Sequence, residues 1–329
     1  MSTATSVPET YELEGDDALE TLRRTGTTRL VKDAFRRFRA ADGFSHSRAL
    51  AFQVTLTLLP ALIATVGLAT ILNARKFTAL LRQATDHFAP GPAGGIIKNA
   101  LAQGQKASGG GARAALLLGL LTAVVSAAMA FGQIERGANR IYGVEQDRPT
   151  KQKYLTGLVL ACSAGLLTVL AFVLIVVGSD ISKATGLSGA MSGLWAFLRW
   201  PLAIALVVGA MALLFRESPR RRQPAASWLM VGSVVSVALW FVFTWLLTLY
   251  LSGSTSFGET YGPLAGMIGL LLWAFLTSLA IYLGVAFAAQ LEAVRAGAPG
   301  PVTGERENPR GQGTTSQAIK RRRTRIVLR

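Results

Sequence analysis

Six stretches of this chain carry almost no charge: Ala49 to Leu72, Ala114 to Ile134, Tyr154 to Ser179, Trp200 to Phe215 with an apolar lead-in from Leu194, Ala225 to Leu251, and Tyr261 to Gln290. A helix rises about 1.5 Å per residue, so about 20 apolar residues cross a 30 Å hydrocarbon core, and five of the windows reach that length unaided. Arg199 and Pro201 interrupt the fourth near one end, where an arginine can snorkel to the headgroups. In hydrocarbon each backbone amide needs an internal partner, which a helix supplies; the ten-residue alternation of a barrel strand does not occur in these windows. Only 16% of the 329 residues are charged, too few to coat a soluble globule of this size. The expected fold class is therefore all-α, a polytopic membrane helical bundle with about six transmembrane helices.

The charges that remain are sorted by connector. With six spans, one set of segments (the N-terminal stretch, Glu135 to Lys153, Arg216 to Arg222, and the C-terminal tail) holds 26 of the 34 lysines and arginines. Basic residues are retained on the cytoplasmic face, so both termini are expected on the cytoplasmic side of an inner membrane. The net charge of +16 reads first as topology. The run Lys320 to Arg325 could bind a polyanion, but no aromatic residues interleave it for base stacking. Anionic lipid headgroups at the cytoplasmic face are the nearer partner, with Arg36, Arg37, Arg39, Arg220, Arg221 and Arg222 as the expected contacts. A second copy of the chain is also an admissible partner; nucleic acid is not favoured.

Three regions follow from this pattern. Residues 1–27 are acidic and poor in large apolar groups, and are expected to be a disordered tail; 28–296 form the transmembrane domain; 297–329, rich in Gly, Pro and charge, form a disordered basic tail. The first apolar run begins only at Ala49 and has no small-residue cleavage pattern, so it is expected to stay as the first span. From Thr28 to Ala41, Val31, Ala34, Phe35 and Phe38 share one helical face and basic residues fill most of the rest, which predicts an amphipathic helix in the cytoplasmic headgroup plane. Two short helices are expected in the first outer connector, around Phe77 to Phe88 and Ile96 to Leu101, broken by Pro90-Gly91-Pro92. Small residues recur four apart at Gly119, Ala123 and Ala127, at Gly157, Ala161 and Gly165, and at Gly262 and Gly266, a spacing that lets helices approach closely. Trp195, Trp200, Trp228, Tyr154 and Tyr250 fall near the expected interfaces.

Convergent catalytic groups do not emerge from the pattern. The two histidines, His46 and His87, are assigned to opposite faces of the membrane, and the one cysteine, Cys162, builds no metal cluster. Neither a catalytic residue nor a metal nor a cofactor is expected, and the chain reads as a non-enzyme. Pro60 interrupts the first span and frees the carbonyl of Leu56, while Gln53, Thr55 and Thr57 add hydrogen-bonding groups nearby. Such a break builds binding sites in transporters, and threonines can also heal it locally. At the inner end of the second span, Glu135, Asn139 and Arg140 fall at i, i+4 and i, i+5, which reads either as a capping and anchoring network or as a polar gate. The candidate cavity or gate residues are thus Gln53, Thr57, Pro60, Glu135, Asn139, Arg140, Tyr261, Gly262 and Gly266.

At these residues the chain resembles the YihY/BrkB family of bacterial inner-membrane proteins, also labelled ribonuclease-BN-like. The resemblance runs from about Arg29 to Arg295. It is carried by Ala49-Leu50-Ala51-Phe52 with Leu58-Leu59-Pro60, by Ala138-Asn139-Arg140-Ile141-Tyr142-Gly143-Val144, by the connector from Phe215-Arg216 to Pro219-Arg220, and by Tyr261-Gly262-Pro263-Leu264-Ala265 leading to Leu271-Leu272-Trp273. Where the family ends its last span with Gly-Ala-Glu and a nearby Asn, this chain has Gly284-Val285-Ala286 and Ala288; Gln53 replaces an aromatic residue before the first-span threonine. The resemblance implies a six-span inner-membrane protein. The favoured function is transporter-like handling of lipid or a small amphipathic solute. An envelope scaffold is the alternative, and the ribonuclease of the old family label the weakest reading.

Overall fold

The computed structural model describes residues 3–10, 12–71, 110–184, 190–253, 264–298 and 300–303. Among the described residues the chain forms eight helices: α1 (Gly15–Thr25), α2 (Thr27–Ala40), α3 (Gly43–Ile71), α4 (Gly110–Tyr142), α5 (Thr150–Ala184), α6 (Ala190–Glu217), α7 (Ala226–Gly253) and α8 (Ala265–Arg295). Helices α4 to α8 are each long and apolar enough to cross a membrane. The first expected span corresponds to α3, whose 29 residues would reach about 44 Å along the axis. The expected outer-connector helices, the third small-residue pair at Gly262, and the basic run at Lys320 lie outside the described residues.

The long helices pack in chain order, α3 against α4 and so on to α7 against α8, and α8 closes the ring by packing on α3. It also touches α4 and α2, which makes it the central helix. In its most apolar stretch 56% of residues are buried inside the protein, against 17–28% in the other four spans. Large apolar side chains such as Leu117, Leu121, Phe197, Trp245 and Tyr250 are exposed around the periphery, as expected of a surface that meets acyl chains rather than water.

Small side chains on α8 make this burial feasible. A Cβ built on Gly284 would lie 2.6 Å from the Ser236 Cβ and 2.8 Å from the Gly232 carbonyl oxygen; one built on Gly232 would lie 2.7 Å from the Ala288 Cβ. Helices α7 and α8 therefore cross nearly backbone to backbone, and the Ser236 hydroxyl donates across the crossing to the Ala280 carbonyl at 3.0 Å. On the opposite side of α8, the Tyr282 ring fills the space a side chain at Gly137 of α4 would need, and its hydroxyl donates to the Gln133 carbonyl at 2.8 Å. Of the small-residue ladders read from sequence, Gly157 does meet α4, at Ala128, whereas Gly165 has nothing within 4 Å.

One expectation fails at the N-terminus. Residues 3–10 and 12–25 are not a disordered tail. Ala4 pairs with Val302, Thr3 donates to the Ala40 carbonyl, Val7 donates to the Tyr142 carbonyl, and α1 packs on α7 and α8. Composition predicted disorder because the segment has few apolar groups of its own; it folds because loops from elsewhere supply partners for its backbone and its acids. The start of the C-terminal tail, up to Thr303, is tied down in the same way, and the rest of that tail lies outside the described residues. The protein-facing side of α2 is Leu30, Ala34, Arg37 and Phe38, while Val31 and Phe35 are exposed. Only part of the apolar stripe read from sequence turns inward, because α2 packs on α8 and leaves its other apolar residues outward.

Replacing Gly284 by Ala must push α7 from α8, so it is expected to cost about 2 kcal/mol, read as a lower thermal unfolding midpoint in detergent. Gly165→Ala, at an open position, is expected to leave that midpoint unchanged or raise it slightly.

Candidate functional site

Both described chain ends, the loop after α4 and the loop after α6 meet at one end of the bundle. We call it the basic end. Here the helix termini leave carbonyls and amides without intrahelical partners, and long polar side chains satisfy them. The loop after α4 turns at Gly143, whose φ is +74° and whose missing side chain admits the backbone of Ser6. Arg140 donates to the carbonyls of Val144 and Glu145 and closes that turn. Asn139, fully buried, donates to Asp147 at 3.0 Å and accepts from the Arg220 amide at 2.7 Å. Glu135 accepts from the Arg148 amide at 2.8 Å and faces the Arg148 guanidinium at 3.4 Å, and that guanidinium reaches the Ser218 and Pro219 carbonyls.

The trio Glu135, Asn139 and Arg140 is thus an anchoring network, with partners other than those the spacing suggested. Glu135 pairs with Arg148, thirteen residues on, rather than with Asn139 or Arg140. Asp147 is the hub of the loop. Burial alone would raise its carboxyl, but the Asn139 hydrogen bond and the charges of Lys153, Arg140 and Arg136 outweigh burial and hold it below the usual carboxylate range.

Behind this loop lies a more deeply buried ionic node. Glu292, in the last turn of α8, is fully buried, accepts from the Thr10 hydroxyl at 2.5 Å, and pairs with Arg221 at 2.8 Å. Arg221 also donates to the Pro8 carbonyl and lies 4.6 Å over the centre of the Tyr142 ring. Arg37 of α2 is fully buried and donates to Gln290 at 2.8 Å, to the Thr5 carbonyl at 2.7 Å and to the Ile141 carbonyl at 3.3 Å. Burial pushes its guanidinium down to about 10, with Tyr142 and Glu292 pulling it back up, so it stays a cation at neutral pH. Three segments, the N-terminal stretch, the end of α4 and the end of α8, are joined through these two guanidiniums.

This corrects the expectation that Arg37 and Arg221 contact headgroups: both are interior, because each has carbonyls and a polar partner waiting inside. Arg220 is committed through one guanidinium nitrogen to the Asp147 carbonyl but remains exposed, as do Arg39 and Arg222, while Arg36 is partly exposed beside Asp33. Trp228 is likewise fully buried rather than at an interface, whereas Trp200, Tyr154 and Tyr250 are at the periphery. The Glu292 pair escaped sequence reading. Its one signal was a lone acid two residues beyond the last apolar window, on the helix whose glutamate position is filled by Ala286.

The second feature is an apolar cavity of about 460 Å³ in the half of the bundle remote from the basic end. It lies among α3, α5, α6, α7 and α8 and is walled by Leu58, Phe172, Ile175, Trp200, Ile204, Val237, Trp240 and Trp273, among others. Its polar groups are few: the Thr168 hydroxyl is taken by the Ala164 carbonyl and the Trp240 N–H by Thr277, and Trp273 Nε1 is buried without a partner. Of the residues proposed from sequence around Pro60, none lines it; Leu58 does. The threonines do not heal the proline break, since Thr55 bonds the Ala51 carbonyl and Thr57 the Gln53 carbonyl rather than that of Leu56. Gly266 is buried on α8 away from the cavity wall. Tyr261 and Gly262 lie outside the described residues, as does His87; His46 faces Gln133 at 3.2 Å.

Two outcomes test this account. Arg221→Met strands the Glu292 carboxylate and is expected to cost about 3–5 kcal/mol, while Arg221→Met with Glu292→Met recovers most of the loss; unfolding in detergent measures both. Because the Asp147 carboxyl is lowered in the folded state, its contribution is full above the ordinary carboxylate value and disappears as pH falls through the lowered one. The midpoint gap between the native chain and Asp147→Asn should therefore be widest at neutral pH and close in acid.

Comparison with known proteins agrees with this architecture. Residues 34–308 match the family described as Virulence factor BrkB. YfkH of Bacillus subtilis, named as ribonuclease-like, is 27% identical over 258 residues, covering 77% of this chain and 92% of that protein. A UPF0761 membrane protein of Alteromonas mediterranea is 24% identical over 74% of this chain and 80% of its own length. Another, from Methylibium petroleiphilum, is 30% identical over 52% of this chain and 41% of its own. No solved structure matches. With a family match over most of its length and a bundle of long apolar helices, the chain is a multi-pass membrane protein belonging to the BrkB family.

Proposed function

We propose that this protein holds and moves a lipid or a small amphipathic solute within its membrane, with the apolar cavity as the binding chamber. The observation that carries the reading is the cavity itself: about 460 Å³ and walled by apolar side chains of five helices. Such a chamber suits an acyl or isoprenoid chain, because a more polar guest would lose hydrogen bonds on entering. The helix ends opposite the cavity are clamped by the ionic node, so motion that opens the chamber would come from the remote half.

In this reading the basic end faces the cytoplasm, and the exposed Arg39 and Arg222, with Val31 and Phe35 of α2, rest on anionic headgroups. The protein acts without chemical catalysis. The two carboxylates buried among the described residues, Glu135 and Glu292, are each engaged by an arginine, which weighs against the nuclease activity suggested by the name of YfkH.

Reconstitution into liposomes with a fluorescent phospholipid tests the reading. The native chain should move lipid between leaflets faster than protein-free vesicles do. Ala203→Phe, which fills the cavity from a buried wall position, should remove at least about nine-tenths of that rate while leaving the unfolding midpoint within a few degrees. Equal rates with and without protein, or full activity in a folded Ala203→Phe chain, would rule the chamber out.

A further inference from the structure

The ionic node has more hydrogen-bond donors than its own residues use. Arg37 Nη2, Arg221 Nε, the Tyr142 hydroxyl and both amide atoms of Gln223 are buried and have no partner. Arg37 and Tyr142 are no more than 1% exposed and the Arg221 side chain 2%. These groups crowd around one ring: Arg221 lies over the Tyr142 face, Arg37 bonds the carbonyl of the preceding residue, and the Gln223 amide lies beside the Tyr142 hydroxyl. Orphaned buried donors of this kind are rare, since each costs about 1–3 kcal/mol when left unmade.

We propose that this cluster is a binding site for a small monovalent anion of halide size. The charge count supports an anion: of the two guanidiniums, Glu292 neutralises one, which leaves a single positive charge. Asp33, the other carboxylate that Arg37 senses, sits beside Arg29 and Arg36 instead. The donor count supports it as well. Two guanidinium nitrogens, a hydroxyl and an amide NH2 offer protons, while the Gln223 oxygen is the one orphaned pure acceptor. A water placed there would accept readily but find few acceptors for its own protons. An anion needs donors alone, and charged hydrogen bonds are the stronger ones. The carbonyls of Thr5 and Pro8 already hold the two guanidiniums, so the N-terminal segment roofs the site and an anion would bind as an internal staple of the basic end.

The test uses the full chain in detergent, with bromide as the probe and gluconate replacing it at constant ionic strength. Bromide should raise the unfolding midpoint in a saturable way, and crystals grown with bromide should show anomalous scattering within hydrogen-bonding distance of Arg37 and Tyr142. Tyr142→Phe keeps the ring under Arg221 and removes one donor; Gln223→Leu removes another. Each should weaken half-saturation at least about tenfold, the worth of one charged hydrogen bond. Identical midpoints in bromide and gluconate, or ordered water with no bromide signal in the native chain, would overturn the proposal even if the variants fail to fold. A saturable response that both folded variants retain unchanged would do the same.

Discussion

A carboxylate buried at the end of the central helix is the constraint around which the basic end is organised. Glu292 cannot stay ionised in the interior without a cation, and Arg221, which meets it, comes from the loop after α6. That pairing draws the loop onto α8, and the same guanidinium then collects the Pro8 carbonyl and the Tyr142 ring. A buried ion pair of this kind adds little net stability over an apolar pair, but it tolerates few alternative arrangements of the segments that surround it. Its value here is to fix which loops meet.

The same logic runs through Arg37 and Asn139. Each is a fully buried polar side chain whose bonds reach beyond its own helix: Arg37 to Thr5, Ile141 and Gln290, Asn139 to Asp147 in the adjoining loop and to Arg220 far along the chain. Because helix ends carry orphan amides and carbonyls, a few such side chains close several termini at once. The opposite half of the bundle is held differently. There the helices touch through apolar and small side chains, and the contact leaves a chamber beside Trp273 rather than a polar lock. One end is thus closed by polar side chains and the other is held by apolar packing around a gap.

Close approach sets the position of α8. Gly284 against Gly232 and Tyr282 against Gly137 bring it nearly into contact with α7 and α4, so its last turns are buried on every side. Dispersion and backbone contact have to supply this association, since lipid is as apolar as leucine and offers no hydrophobic drive between helices. The node at Glu292 stands at the end of this tightest seam.

By itself the sequence determined the solvent this chain needs and the order of its long helices. Charge-free windows of more than about 20 residues have one stable form in hydrocarbon, and that follows from local composition. It also marked Glu135, Asn139, Arg140 and Tyr142 as unusual, within a stretch whose pattern pointed to the family. Tertiary structure alone decided the rest. Disorder was expected for residues 1–27 and headgroup contact for Arg37 and Arg221, because a segment read alone shows charge and no partner. Folding brings Thr5, Pro8 and Glu292 to those charges from across the chain. The cavity was equally hidden, since Leu58, Phe172, Trp200, Val237 and Trp273 are ordinary apolar residues until five helices leave a gap between them. Such a gap is a property of packing, and packing is settled by side chains that no single window contains.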